Sequence, residues 1–273
     1  WVKEYEKVGD RDPFIWKWAY YVSANIKLPF IKKKYDQKLT SIKFLMIILI
    51  TLVDDIADKK RDLQFLKNIS DFSFDRKNFQ TYSFRNGKKR AYFTATYKIW
   101  VEIKKLLNGL PNFGKLSPII EFDFKQIWNS MIYACLINNN PDINNKEENR
   151  IYLSNSTPAI LSYMIDLSCF NSKIDIGAVR SIGWYCQMMV RISNTLATYE
   201  RELSEKDFSG EVFIHSKECK NKKNIEQKLI EQWDEYYDTL SESLSNFSKQ
   251  TKKNILASIK KVLIIHLSSR GKI

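Results

Sequence analysis

Along most of this chain apolar residues recur at i, i+3, i+4 and i+7, the spacing that lays one face of an α-helix against a core. Residues 13–26, 39–60, 90–110, 117–140, 156–170, 175–207, 224–247 and 250–269 each carry the pattern. The helix over 90–110 is predicted to stop at Gly109 and Pro111. Ser117 reads as the N-cap of the next, with Pro118 at its first helical position, and Ser156-Thr157-Pro158 repeats that kind of start. The segments between, such as NNNPDINNKEEN and HSKECKNKKN, are short and polar. No repeat period and no long linker breaks the pattern. It predicts one all-α domain of about ten helices over residues 1–273.

Composition agrees: 44% of residues are hydrophobic and 14% aromatic, enough for a large core, while 8 Gly and 6 Pro are too few for a turn-rich β fold. The apolar run over 42–53 falls short of the ~18 residues a membrane span needs, so it reads as a buried helix and no span is expected. The formal charge of +13 raises nucleic acid as a partner. The basic stretches KKKYDQK, NGKKR and KECKNKK are scattered, however, and no basic helix carries interleaved aromatics, so solvated loops are the preferred reading. A third reading, cations facing an anionic substrate, stays open. Cys135, Cys169, Cys186 and Cys219 form no CxxC pair and read as reduced thiols of an intracellular, cytoplasmic protein. The chain begins at Trp1, so a targeting segment ahead of it is left open. His215 and His266 are too few for a His-based metal site and read as structural or solvated.

The apolar run ends in Asp54, Asp55 and Asp58. On a helix Asp54 and Asp58 share a face one turn apart, where like charges repel. One reading is an acidic helix end offset by Lys59, Lys60 and Arg61. The other is a site for a hard divalent cation such as Mg²⁺, which takes oxygen ligands and often shares a phosphate. A second element bears on the choice. Asn194, Thr198 and Glu202 stand at i, i+4 and i+8, a stripe of amide, hydroxyl and carboxylate oxygens at the end of another apolar helix.

DDIAD followed 140 residues later (194 − 54) by NTLATYERE resembles the paired metal motifs of class I terpene synthases of the microbial type. In that family DDxxD is followed by N-D-x-x-S-x-x-K-E, whose Asn, Ser/Thr and Glu hold metal. Asn194, Thr198 and Glu202 match those places, with Arg201 as the basic residue and Thr195 where the family usually has Asp. The resemblance implies an all-α, single-domain helical bundle with a central cavity. It implies Mg²⁺-dependent ionisation of farnesyl or geranylgeranyl diphosphate, then carbocation cyclisation to a sesquiterpene or diterpene with release of diphosphate. Three Mg²⁺ are implied, with Mn²⁺ as a substitute, and a homodimer is compatible with the family. Asp54, Asp58, Asn194, Thr198 and Glu202 become the expected metal ligands. Arg150, 44 residues before Asn194 (194 − 150), becomes the diphosphate sensor, and Ser154 falls near the effector position of a proline-containing helix break. Arg201 and Arg270 are expected on the diphosphate, although Gly271 stands where the family usually has Tyr. Phe44, Ile47, Trp184 and Gln187 are candidate walls of the substrate pocket, with ordinary core packing as the other reading of each. Two alternatives remain: a prenyl-chain-elongating synthase, whose second motif would be aspartate-rich, and a non-enzymatic basic helical scaffold.

Overall fold

The computed structural model describes residues 1–74, 87–218 and 221–273, with the side chains of 71–74 and 217–218 left out. Cys219, and with it part of KECKNKK, lies outside the described residues, as does Asn86. The described chain is all-α, as the periodicity predicts. Its helices are α1 (Val2–Glu6), α2 (Phe14–Asn25), α3 (Asp36–Asp54), α4 (Leu63–Phe74), α5 (Gly87–Asn108), α6 (Phe113–Asn139), α7 (Lys146–Tyr152), α8 (Ala159–Leu167), α9 (Ile176–Glu205), α10 (Glu211–Glu218), α11 (Lys222–Ser243) and α12 (Lys249–Ser268). The eight segments read from the sequence fall on α2, α3, α5, α6, α8, α9, α11 and α12, whereas α1, α4, α7 and α10 were not expected. No described helix is long and apolar enough to cross a membrane.

Helix α3 is apolar nearly all round, and Leu39, Ile42, Met46, Ile48, Leu49 and Leu52 are fully enclosed. A helix of that kind sits inside a fold rather than on it. Helices α2 and α5 pack on α3, while α8, α11 and α12 pack on α9, and α2 meets α12. Helix α9 is set by its N-cap, where Asp175 accepts from the Ala178 N–H. It comes close to α8 at Gly183, where a Cβ would stand 3.1 Å from the Ile160 backbone.

Three local features differ from the sequence expectation. Helix α6 begins at Phe113, so Ser117 is not its N-cap and Pro118 lies inside it. The Ser117 hydroxyl donates to Gly114 O (3.2 Å), the carbonyl that the missing Pro118 N–H leaves unserved. The segment around Pro158 is broken, as the resemblance implies, but the helix expected from Ser156 starts only at Ala159: Leu153–Ser156 forms a 3₁₀ turn and Thr157 is extended. The helix through DDIAD does not run to Lys60. It ends at Asp54, Asp55–Lys60 winds as a π turn, and Arg61 takes a left-handed conformation at φ 51°. A π turn reaches back five residues rather than four, so the ladder opens at the aspartates.

Candidate active site

The two motif-bearing helix ends are tied together by Arg61. Its left-handed backbone turns the guanidinium back to donate to Asp58 O (3.2 Å), Asn138 O (3.0 Å) and Lys206 O (2.8 Å). These carbonyls belong to the π turn, to α6 and to the residue that ends α9, itself left-handed at φ 53°. A second link is Asn138, whose amide donates to Asp58 Oδ1 (3.1 Å) and Asp207 Oδ1 (3.0 Å). The separation of the two motifs therefore rests on an arginine and an asparagine that belong to neither.

The aspartates are not an exposed acidic helix end. Asp55 is 1% and Asp58 7% exposed. Asp55 accepts from the Tyr5 hydroxyl (2.7 Å) and from Arg11 Nε (2.7 Å), and Arg11 also reaches Asp54 (2.9 Å). Burial raises the Asp58 pKa well above the carboxylate range, and the nearby Asp207 and Asp54 carboxylates push it further. Burial raises Asp54 too, against the pull of Arg11. Glu202 is 4% exposed, and burial, reinforced by Asp207, pushes it up to about 7. Thr198 Oγ1 donates to Glu202 Oε1 (2.6 Å), whereas Oε2 has no partner among the described residues. A Cβ on Gly210 would stand 2.2 Å from that Oε2, so a larger residue there would push the carboxylate out of its present position.

Asp54, Asn194, Thr198 and Arg201 line one cavity of about 150 Å³. Its remaining walls come mostly from apolar residues of α2 and α3, from the break before α8, and from Val190, His266 and Ile273. Arg11, Ile15, Arg201 and Ile273 also line a wider outer cleft, which adds Lys59, Lys222, Arg270 and Lys272. Among the described residues no three His, Cys, Asp or Glu side chains form a metal-ligand cluster. The donors are divided between two motifs, and one motif brings an amide and a hydroxyl. The set is nonetheless all hard oxygen, with crowded carboxylates and one orphaned oxygen, and it fits a divalent cation such as Mg²⁺.

The structure brings only some of the sequence candidates to this cavity. Asp54, Asn194, Thr198, Arg201 and Ile47 line it. Asp58 and Glu202 lie just behind, through the contacts above. Arg270 lies in the outer cleft, paired with Glu226. Ser154 is buried beside the break, its Oγ donating to Ile151 O (3.2 Å). Arg150 is exposed on α7, its guanidinium 5.8 Å from the Tyr236 ring centroid, and lines no part of the cavity. Trp184 and Gln187 line a different cavity. Gln187 clamps the helix break instead, with its side-chain amide donating to Asn155 Oδ1 (3.1 Å) and its backbone carbonyl accepting from Thr157 Oγ1 (3.0 Å). Phe44 packs edge-on against Tyr20, away from the cavity. Sequence reasoning missed Arg11, Asn138 and Asp207, and read Arg61 only as a charge beside the aspartates rather than as a link to α6 and α9. The Asp10-Arg11-Asp12 run was the available signal for the first; the other three are contacts between distant segments.

No family model matches the chain, and no curated protein matches it by sequence. Its fold is nevertheless that of isoprene synthase from grey poplar leaves (Populus x canescens), with a TM-score of 0.73 at 14% identity over 96% of this chain and 50% of that one. The same enzyme in complex with three Mg²⁺ ions and dimethylallyl-S-thiolodiphosphate aligns at a TM-score of 0.69 and 15% identity over 97% of this chain. This chain thus spans about half the length of the isoprene synthase it matches. The all-α terpene synthase fold expected from the paired motifs is the fold the chain has.

Proposed function

We propose that residues 1–273 act as one terpene synthase catalytic domain that ionises a prenyl diphosphate with the help of Mg²⁺. The observation that carries this reading is one apolar cavity lined by Asp54 from α3 and by Asn194, Thr198 and Arg201 from α9. Asp54 and Asp58 would hold metal from one side, and Asn194, Thr198 and Glu202 from the other. Bound there, Mg²⁺ supplies electrophilic stabilisation of the leaving diphosphate. Arg201, which lines both the cavity and the cleft and is paired with Glu205 (2.7 Å), and Arg270 in the cleft would turn their guanidinium forks to diphosphate oxygens. The cavity keeps water from the allylic cation, and the Trp18 ring in its wall offers an aromatic face. Cys135, Cys169 and Cys186 are free and buried, in keeping with a reducing cytoplasm.

The paired motifs favour farnesyl or geranylgeranyl diphosphate, followed by cyclisation to a sesquiterpene or diterpene. Cavity size favours a second reading, a shorter dimethylallyl or geranyl chain. A cavity of about 150 Å³ is the size that admits benzene in another protein. Incubation with dimethylallyl, geranyl, farnesyl and geranylgeranyl diphosphate plus Mg²⁺ decides between them, with diphosphate release measured and products read by gas chromatography–mass spectrometry. Release from at least one, abolished by excess EDTA, is expected. Release from none would remove the reading, and a strict need for isopentenyl diphosphate would make the chain an elongating synthase.

A further inference from the structure

One side chain in the cavity wall has no part in metal or diphosphate binding. His266 on α12 is fully buried and lines the cavity. Its Nδ1 stands 2.8 Å from Val262 O, one turn back on the same helix. A carbonyl can only accept, so Nδ1 carries the proton and the lone pair belongs to Nε2. Among the described residues Nε2 has no hydrogen-bond partner, and because Nδ1 faces its own helix, Nε2 faces away from it. Two other polar atoms of residues in the same wall, Ser23 Oγ and Trp18 Nε1, are also unpartnered. The Trp18 ring meets His266 edge-on at 5.1 Å. Burial draws the His266 pKa down to about 4, which keeps the ring neutral near pH 7.

Other lining groups are poorly suited to accept a proton. Lys43 donates to Ile26 O (2.6 Å) and pairs with Asp166 (2.6 Å). The Thr51 hydroxyl donates to Ile47 O, the Thr157 hydroxyl is shared between Ser154 O and Gln187 O, and both are weak bases. Asp54 is engaged by Arg11.

We propose that His266 Nε2 is the proton acceptor that ends the carbocation reaction in this cavity. The inference rests on the terpene synthase reading. If the proton comes from carbon, a C–H bond beside the cationic centre breaks, its electron pair becomes the new C=C bond, and the proton goes to the Nε2 lone pair. If it comes from water, a water lone pair forms the C–O bond and an O–H proton goes to the same nitrogen. Either way the imidazolium returns its proton to solvent or to the released diphosphate when product leaves. A cation is so much stronger an acid than imidazolium that the low basicity of a buried ring is no obstacle.

The test has two parts. The first needs neither metal nor substrate. In ¹⁵N-histidine-labelled protein, Nε2 of His266 should be unprotonated at neutral pH and Nδ1 protonated; the opposite tautomer, or a charged ring, overturns the proposal. The chain has 2 histidines, so assignment is direct. The second part compares His266→Leu and His266→Gln with the parent, in H₂¹⁸O, on whichever of the four diphosphates the parent turns over. The product ratio, read per diphosphate released, should change by about tenfold or more in both variants. An unlabelled hydrocarbon from the parent assigns the proton to carbon, and an ¹⁸O-labelled alcohol assigns it to water. An unchanged product ratio in both variants overturns the proposal; if neither variant folds, the parent's Nε2 resonance decides it, since it must shift when Mg²⁺ and a non-ionisable prenyl thiolodiphosphate fill the cavity and an unmoved resonance overturns the proposal. A parent that releases diphosphate from none of the four points to failure of the functional reading instead.

Discussion

Replacing Glu202 by Gln should stabilise the metal-free protein, and by an amount that grows with pH. The side chain is 4% exposed, with one oxygen on Thr198 and the other unpartnered. Its pKa is pushed up to about 7 from 4.5, first by burial and then by Asp207. A carboxyl whose folded pKa lies above its unfolded value lends stability that is fully present below pH 4.5 and is lost as pH rises through 7. The interval converts at 1.36 kcal/mol per unit to a ceiling of about 3 kcal/mol. For a chain of this size that is on the order of 6–12 °C in melting temperature. Gln keeps the acceptor for Thr198 and has no charge to bury. Melting curves of parent and variant in excess EDTA, from pH 5.5 to 8.5, are the assay. Asp54 and Asp58, raised in the same direction, tilt both curves alike, so the variant-minus-parent difference isolates Glu202. That difference should climb with pH and level off above about pH 7.5. With Mg²⁺ and inorganic diphosphate added, the order reverses, because a ligand that binds the folded parent raises its stability and the variant lacks one of its anchors. A difference that is flat across the pH range refutes the reasoning.

Arg11→Met strips Asp55 of its close cation while leaving the carboxylate 1% exposed, and should lower the urea-unfolding free energy by about 3–5 kcal/mol; a loss under about 1 kcal/mol contradicts it. Lys43→Met strands Asp166 in the same way, whereas adding Asp166→Leu should recover most of that loss, as a double-mutant cycle would measure. Arg150→Lys should leave diphosphate release within about twofold of the parent, since Arg150 faces solvent and Tyr236; a tenfold fall, about 1.4 kcal/mol, would return it to the site.

The long helices were legible because burial of one face leaves a period of 3.6 in the sequence. The short ones were not: α1, α7 and α10, of 5, 7 and 8 residues, contain too few turns to show a period. Helix α4, of 12 residues, was missed as well, although Phe65, Leu66 and Ile69 give it a buried face. At the site, the α9 stripe was legible because its spacing is fixed by the helix. Its extension backward was not. Gln187 and Trp184 lie 3 and 6 residues before Val190, which turns them about 60° and 120° away from the cavity face. Arg150 follows the buried Asn149, which accepts from Arg191 (2.7 Å), so the next residue necessarily points elsewhere. The π turn left no local signal, because Asp55–Lys60 reads as well as ordinary helix. His266 read as a structural histidine, and its Val262 bond is of that kind; only the cavity beside it distinguishes Nε2.

Arg11 bears on what the aspartates require. Asp54, Asp55, Asp58, Asp207 and Glu202 crowd one region, and buried carboxylates at such density cannot all stay charged without cations. The chain relieves the crowding in two ways. Asp55 is neutralised by Arg11 and held by Tyr5, which removes it from the set free to bind metal. Asp58 and Glu202 are pushed toward their protonated forms, and Asp54 is shared between the two solutions, paired to Arg11 yet raised by burial. A divalent cation at Asp54 and Asp58 would have to displace protons and loosen one arm of Arg11. Arg11 lines both the cavity and the outer cleft. The guanidinium arm so released lies where an anionic ligand arriving with the metal would meet it, while its other nitrogen keeps Asp55. The cation demanded by the carboxylates after the apolar run is therefore supplied by the chain itself in the metal-free state, from a segment 43 residues upstream that carries no periodic signal.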